Sequence, residues 1–104
     1  MAAADERVEI NLGDSILVLE GNVIELFHKP SMINRRWHVC HISVDAKPSR
    51  RNDVLKYTLG TRLSDVMMAP LPFDVPLSAQ PRVAAFFEEA MRRRAASTAL
   101  GYAP

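Results

Sequence analysis

The sequence has little of what stabilises small secreted domains and little of what builds phosphate-binding loops. Cys40 is the only cysteine, so an intramolecular disulfide is excluded, and such cysteine usage is typical of a reducing compartment. The four glycines stand far apart, at positions 13, 21, 60 and 101. Because a phosphate cradle needs several glycines within a few residues, this spacing excludes one. We therefore expect a cytoplasmic protein without a nucleotide-binding loop.

The chain also lacks a strong charge of either sign and a long hydrophobic run. Its 13 Lys and Arg residues face 12 Asp and Glu residues, for a formal net charge of +1. No protein-wide field therefore attracts nucleic acid or anionic lipid. No apolar run approaches the ~18 residues of a membrane span, and Met1–Ile10 lacks the basic and apolar regions of a secretory signal. The sequence predicts a soluble domain with no transmembrane segment.

What the sequence does contain is typical of one globular domain. Hydrophobic residues make up 48% and charged residues 24% of the chain, which are ordinary values that permit a real core. The Ala-rich start predicts a flexible N-terminus over residues 1–7. Loss of the apolar stripe from Ala95 onward predicts a flexible C-terminal tail over residues 96–104. A single domain is thus expected over residues 8–95.

A β-hairpin across Gly21-Asn22 is the clearest local pattern. This dipeptide suits a two-residue primed turn, and the flanking segments 15–20 and 23–28 are rich in strand-forming residues. Counting outward from the turn predicts one apolar face, formed by Leu17, Leu19, Ile24 and Leu26. We expect that face to belong to the core.

Weaker patterns predict the remaining strands. They lie at residues 8–12, 37–45, 54–59 and 73–77, and the polar stretches 29–36 and 46–53 are expected to be loops. The apolar phase slips within 37–45, which indicates a bulge or strand break near Cys40 and His41. Segment 61–72 fits either a short strand or a helical turn, and Pro70 and Pro72 are expected to exclude a regular continuation.

An amphipathic helix follows, with Ser78 as its predicted N-cap and Pro81 in its first turn. Its apolar residues recur at the helical period: Val83, Phe86, Phe87, Ala90 and Met91. On the opposite face, Glu88 and Glu89 each stand four residues before an arginine, Arg92 and Arg93 respectively. This spacing predicts two exposed ion pairs.

The strand order and a few local segments resemble a known class. These segments are Arg36-Trp37-His38-Val39, His41-Ile42-Ser43-Val44, and Val75-Pro76-Leu77-Ser78 before the Phe-rich helix. Together they resemble the bacterial pleckstrin-homology-like (PH-like) domains over roughly residues 8–95. The resemblance implies a mainly β fold: two antiparallel sheets in a barrel or sandwich, capped by one C-terminal α-helix. Such domains are adaptors in eukaryotes, and many of their bacterial relatives have no assigned role.

The phosphoinositide-binding members of that class concentrate Lys and Arg in and beside the first hairpin loop. Glu20-Gly21-Asn22 stands at that position here, and this departure argues against binding of a phosphoinositide headgroup. No functional residue is carried over from the resemblance.

The residues most suited to chemistry are His38, Cys40 and His41. A zinc site would need them on one side, but strand alternation puts His41 opposite the other two, and paired ligand spacing is lacking. Cys40 with a histidine base is conceivable as a nucleophile, yet no motif supplies an orienting carboxylate or an oxyanion hole. We therefore predict no metal, no cofactor and no catalysis, and keep a Cys40-centred enzyme as the third hypothesis.

Two surfaces are candidates for binding. The candidates for contact with a protein partner are Trp37, Phe27, Ile16 and Val18, although Trp37 fits a core position as well as an exposed anchor. The basic loop offers Lys47, Arg50 and Arg51 to an anion or nucleic acid, without interleaved aromatic residues. The leading hypothesis is a non-enzymatic protein-binding or self-assembly module with a protein partner or its own copy. The alternative is a small anion- or nucleic-acid-binding domain, and nucleic acid is the less expected of the partners.

Overall fold

Seven β-strands and one α-helix form the part of the chain that the computed structural model describes, residues 6–51 and 53–99. The strands are β1 (Val8–Asn11), β2 (Ser15–Glu20), β3 (Val23–His28), β4 (Ile33–His38), β5 (Ile42–Pro48), β6 (Val54–Leu63) and β7 (Val66–Pro76). A 3-10 turn, Leu77–Ala79, leads into helix α1 (Gln80–Ala99). These elements confirm the predicted fold class, mainly β with one C-terminal helix.

The strands form two antiparallel sheets, β1-β2-β3-β4 and β5-β6-β7. Every pairing joins strands that are neighbours along the chain. The chain crosses between the sheets at residues 39–41, where the His41 N–H donates to the His38 carbonyl at 2.9 Å. This turn is the predicted break within 37–45. The two sheets do not join into one closed barrel, so the fold is an open sandwich.

The core lies between the sheets and under α1. The hairpin has the predicted register, with Leu17 opposite Leu26 and Leu19 opposite Ile24, and all four side chains are buried. The helix contributes its predicted stripe, in which Met91 is half-buried and the other four are buried: Val83, Phe86, Phe87 and Ala90. The α1 stripe and the inner faces of both sheets thus share one hydrophobic cluster.

The predicted loop at 29–36 was wrong, because only residues 29–32 turn. From Ile33 to His38 the chain pairs with β3 as strand β4. β4 lies at the edge of its sheet, and Trp37 is its only buried side chain. An exposed edge strand needs no alternating apolar pattern, so the sequence of β4 has the polar composition that is typical of a loop. β5 extends to Pro48 through exposed residues for the same reason.

The β6–β7 hairpin is much longer than the sequence predicted. β6 continues through Gly60 to Leu63, and β7 begins at Val66. Pro70 and Pro72 lie within β7 and do not interrupt it. They are accommodated because β7 is an edge strand, where a missing N–H donor costs no ladder hydrogen bond on the open side.

A bulge explains why Gly60 lies inside a strand instead of ending it. The register shifts between Leu59 and Thr61, and opposite this shift Ala69 takes a positive φ of 51°. A Cβ atom on Gly60 would stand 2.8 Å from the Met68 carbonyl oxygen. Glycine therefore permits the bulged strand to approach closely.

Arg93 is buried, and the predicted exposed position on the helix was wrong. Its guanidinium donates three hydrogen bonds, to the Glu89 carboxylate at 2.8 Å and to the carbonyl oxygens of Gly21 at 2.8 Å and Glu6 at 2.9 Å. Its side chain is only 3% exposed. We call Arg93 and these three acceptors the Arg93 latch, because they join α1 to the β2–β3 turn and to the segment before β1. Arg92, predicted to pair with Glu88, pairs with Glu89 instead.

The helix is displaced toward the C-terminus relative to the prediction. Ser78 lies inside the 3-10 turn, which has no side-chain cap, and is not the N-cap of α1. Residues 96–99, which were expected to be part of the tail, are helical, and Ser97 is buried. The rest of the predicted tail, residues 100–104, and residues 1–5 of the predicted flexible N-terminus lie outside the described residues.

Candidate protein-binding surface

Most of the exposed large apolar side chains lie at the ends of two hairpins, whereas Val23 and Leu77 lie elsewhere. At the β3–β4 end they are Phe27, Met32 and Ile33, and at the β6–β7 end they are Leu63, Val66 and Met68. Met32 is 91% exposed, the highest value among these side chains. Such a concentration is informative, because isolated exposed apolar residues are common on protein surfaces whereas clusters mark interaction sites.

A groove of about 420 Å³ opens at the β3–β4 end. Its walls are Phe27, His28, Lys29, Met32, Ile33 and Asn34, and we call it the β3–β4 groove. Apolar side chains line most of it, and Lys29 supplies a positive charge. A groove of this size admits one or two side chains of a ligand.

The turn that forms one wall of the groove has a strained backbone. The Met32 N–H donates to the Lys29 carbonyl at 3.0 Å, with Pro30 at the second position of the turn. Met32 itself takes a positive φ of 55°, a region that disfavours L-residues other than Gly, Asn and Asp. The His28 ring and the Ser31 hydroxyl, 2.7 Å apart, brace the turn. The turn therefore holds a methionine in solvent at a conformational cost.

Positive charge lies at the groove on Lys29 and continues along β4 on Arg35 and Arg36. Arg35 donates to the carbonyl oxygen of Ala69 in the β7 bulge, which brings the two sheets together at that point. Arg36 donates to Glu25 at 2.9 Å, but its side chain remains 72% exposed. With Lys29, these residues give the β3–β4 hairpin an excess of positive charge.

The four predicted contact residues do not form one surface. Ile16 and Phe27 pair on the outer face of the sheet, where Val18 also lies. Trp37 pairs with Ile24 on the inner face and is 6% exposed, so it is a core residue of this chain. Val18 is also buried, beneath a shallow depression of about 170 Å³. Phe27 is the predicted contact residue that also lines the β3–β4 groove.

The basic loop is partly neutralised by acidic neighbours. Lys47 stands 3.7 Å from Asp45, and Arg51 stands 3.7 Å from Asp53. Arg50 is exposed. Two of the three candidate anion-binding residues are therefore held near carboxylates, which weakens their attraction for an anion.

The cysteine and histidine residues meet at the turn between the sheets. Cys40 has no exposed surface, and its backbone N–H donates to His38 Nδ1 at 3.1 Å. The rings of His38 and His41 are 5.9 Å apart, and burial, together with the charge of His41, lowers the pKa of His38. Within residues 6–51 and 53–99, no group of three or more His, Cys, Asp or Glu side chains is placed to hold a metal ion. Because Cys40 is buried, its thiol is not accessible to a substrate in this conformation.

Sequence reasoning missed Met32 and Ile33. They follow Pro30-Ser31 inside a stretch that was assigned to a loop, where apolar residues received no role. The sequence does carry one signal for them. Two adjacent apolar residues directly after a turn dipeptide predict either the start of a strand or an exposed contact.

In the part of the chain that the structure describes, no helix has both the length and the apolar character needed to cross a bilayer. Comparisons with protein-family models, with curated proteins and with solved structures find no match. The PH-like resemblance therefore stays a prediction from strand order and local segments, and the candidate surface has to be judged from its own chemistry.

Proposed function

We propose that this chain is a non-enzymatic protein-binding module of the PH-like type, and that a partner protein docks in the β3–β4 groove. The observation that carries the proposal is Met32, an apolar side chain 91% exposed beside an apolar groove. Burying the apolar walls of such a groove against a partner is favourable by roughly 25 cal/mol for each Å² removed from water.

Backbone strain at the same turn supports this use. A non-glycine residue at positive φ costs of order 1–3 kcal/mol and persists where the surroundings or a function require it. Glycine at position 32 would relieve the strain but would remove a groove wall. A methionine at this position keeps that wall of the groove at the cost of the strain.

The charge of the hairpin favours a partner with acidic residues over a second copy of this chain. A two-fold contact between two β3–β4 ends would bring Lys29, Arg35 and Arg36 of one copy near those of the other, and like charges disfavour such a contact. A partner segment with an apolar residue and nearby carboxylates matches both features of the groove.

Site-specific photo-crosslinking tests the proposal. A photo-reactive amino acid is placed at position 32 and, as the matched control, at exposed position 88 on α1, and each protein is irradiated in cells of its source. We expect position 32 to give a discrete crosslink to another protein that position 88 does not give. Phe27→Glu and Met32→Glu should each weaken binding of that protein, once purified, at least tenfold, whereas Lys47→Glu combined with Arg50→Glu should not.

Other results would contradict the proposal in identifiable ways. A crosslinked species of twice the chain mass would indicate self-assembly. Loss of binding only in the Lys47→Glu and Arg50→Glu variant, together with a steep dependence on salt, would favour the anion-binding alternative. Identical products from positions 32 and 88 would argue against a docking site at the groove.

A further inference from the structure

The four edges of the two sheets are not equally protected against pairing with another chain. β7 carries three prolines and a bulge, β5 ends in Lys47-Pro48, and β1 has only four residues. Prolines, bulges and short length are the usual means by which edge strands avoid association. β4 has no proline and no bulge over its six residues, and its only protection is the charge of Arg35 and Arg36, so we take it as the open edge.

The register determines which backbone groups of β4 face outward. The two-residue turn makes Glu20 and Val23 a hydrogen-bonded pair, and bonded pairs then alternate along an antiparallel ladder. On β3, Ile24, Leu26 and His28 therefore bond toward β4, and their partners are Trp37, Arg35 and Ile33. The intervening residues Asn34 and Arg36 must direct their N–H and C=O groups away from the sheet.

This open edge begins at the β3–β4 groove. Asn34 lines the groove opposite Phe27, and Arg36 lies two residues further along on the same face. Residues two apart in a strand are separated by about 6.6 Å. A strand added here would thus place one side chain beside the groove and the next side chain on the same face beside the Arg36 guanidinium, which is 72% exposed and whose Nε donates to Glu25.

We infer that the partner segment binds in an extended conformation as a fifth strand on β4, with an apolar residue in the groove and an acidic residue two positions away facing Arg36. This inference rests on the proposed function and adds the mode of binding and the chemistry of the ligand. The backbone of Asn34 and Arg36 provides up to four hydrogen bonds, which give affinity without sequence preference. The groove and Arg36 select the apolar-x-acidic pattern.

A random peptide display library panned on the purified chain tests the inference. We expect enrichment of peptides with an apolar residue and an Asp or Glu two positions apart. A synthetic consensus peptide, followed by fluorescence anisotropy, should bind at least tenfold more weakly to Met32→Glu and to Arg36→Glu. Exchange of its acidic residue for Lys should restore binding to Arg36→Glu but not to Met32→Glu. Lys47→Glu is the control that leaves binding unchanged.

Methylation of the peptide backbone then separates a strand from other conformations. Methyl groups on alternate amide nitrogens should reduce affinity at least tenfold, and those on the intervening nitrogens should be tolerated, because only every second amide faces β4. Tolerance at every position, or loss at every position, would overturn the strand mode. So would failure to select any peptide whose binding depends on Met32. If the crosslink from position 32 to a partner protein stands in those cases, the proposed function survives and only the mode is wrong.

Discussion

The two turns at the ends of β3 each contain a residue with positive φ, but they differ in which type of residue adopts it. At the β2–β3 turn a positive φ of 59° falls on Gly21, and the carbonyl of that glycine accepts a hydrogen bond from buried Arg93. At the β3–β4 turn a positive φ of 55° falls on Met32, whose side chain is almost fully in solvent. One turn is unstrained and bonded to the helix through Arg93, and the other is strained and exposes its methionine side chain to solvent.

The comparison distinguishes a turn that stabilises the fold from a turn that keeps a solvent-exposed side chain at a conformational cost. Two further non-glycine residues have positive φ, Ser64 in the β6–β7 turn and Ala69 in the β7 bulge. Both belong to the hairpin that carries Leu63, Val66 and Met68. Strain and clusters of exposed apolar side chains thus occur together at these two hairpin ends, and this is the pattern expected of a surface shaped for contact.

Two phenylalanines give the largest test of this comparison. Phe86 lies on the buried stripe of α1 at 2% exposure, whereas Phe27 beside the groove is 38% exposed. We expect Phe86→Ala to lower the free energy of unfolding by roughly 3–5 kcal/mol, because it leaves a cavity in the core. Phe27→Ala should lower it by about 1 kcal/mol, since much of its surface is already in water. Chemical denaturation measures both, and equal losses would show that α1 is not docked as described.

The Arg93 latch gives the next largest effect. We expect Arg93→Ala to lower the free energy of unfolding by about 3 kcal/mol, because it leaves the carbonyls of Gly21 and Glu6 without their charged donor in a buried place. Arg92→Ala is the matched control, since Arg92 pairs with the same Glu89 but is 71% exposed. Exposed pairs are worth about 0.5 kcal/mol. Equal effects of the two changes, measured by denaturant titration, would contradict the latch.

Exchange of residues at the two turns of β3 should change stability in opposite directions. Gly21→Ala introduces a side chain at positive φ and should lower the free energy of unfolding by roughly 1 kcal/mol. Met32→Gly relieves strain and should leave stability unchanged or raise it by about 0.5 kcal/mol, after the entropy of glycine in the unfolded chain is subtracted. The same Met32→Gly change should weaken partner binding. A clear loss of stability in Met32→Gly would show that the turn is held by packing and not kept under strain.

We expect acid to destabilise the fold through protonation of Glu89, which accepts a hydrogen bond from Arg93 in the latch. The hydrogen bond from Arg93 is the largest cause that lowers the pKa of Glu89. A carboxyl group whose pKa is lower in the folded state stabilises the fold at neutral pH, and that contribution is lost as the pH falls through about 4 and below. We expect the melting temperature to decrease less steeply with acid in Glu89→Gln than in the unaltered chain. Parallel curves in a pH series of thermal melts would show that Glu89 does not contribute.

The sequence predicted those elements that bury one face, because their apolar residues recur at a regular spacing. The β2–β3 register followed from Gly21-Asn22 and alternating Leu and Ile, and the stripe of α1 followed from Val83 and Phe86. β4 has no alternation of apolar and polar residues, because only one of its side chains is buried. The sequence therefore shows no strand pattern there. The same absence concealed the groove, since four of its six lining residues lie in the stretch predicted to be a loop.

Arg93 shows a second limit of sequence reasoning. Its spacing from Glu89 is ordinary for an exposed helix pair, and only the tertiary approach of Gly21 and Glu6 makes it a buried donor. Trp37 was undecided between core and surface for a related reason. Alternation around the break at residues 39–41 did not fix which face it occupies.

The position of the latch along the chain has a consequence for the order of folding. All strand pairings join neighbours in sequence, whereas the bond from Arg93 to the Glu6 carbonyl closes a separation of 87 residues. Local contacts form early, and contacts that close long loops form late because of their entropy. On a ribosome both sheets can pair before α1 emerges, and the latch closes last. Its loss should therefore speed unfolding while leaving the folding rate nearly unchanged, which makes Arg93 a determinant of how long the folded chain persists.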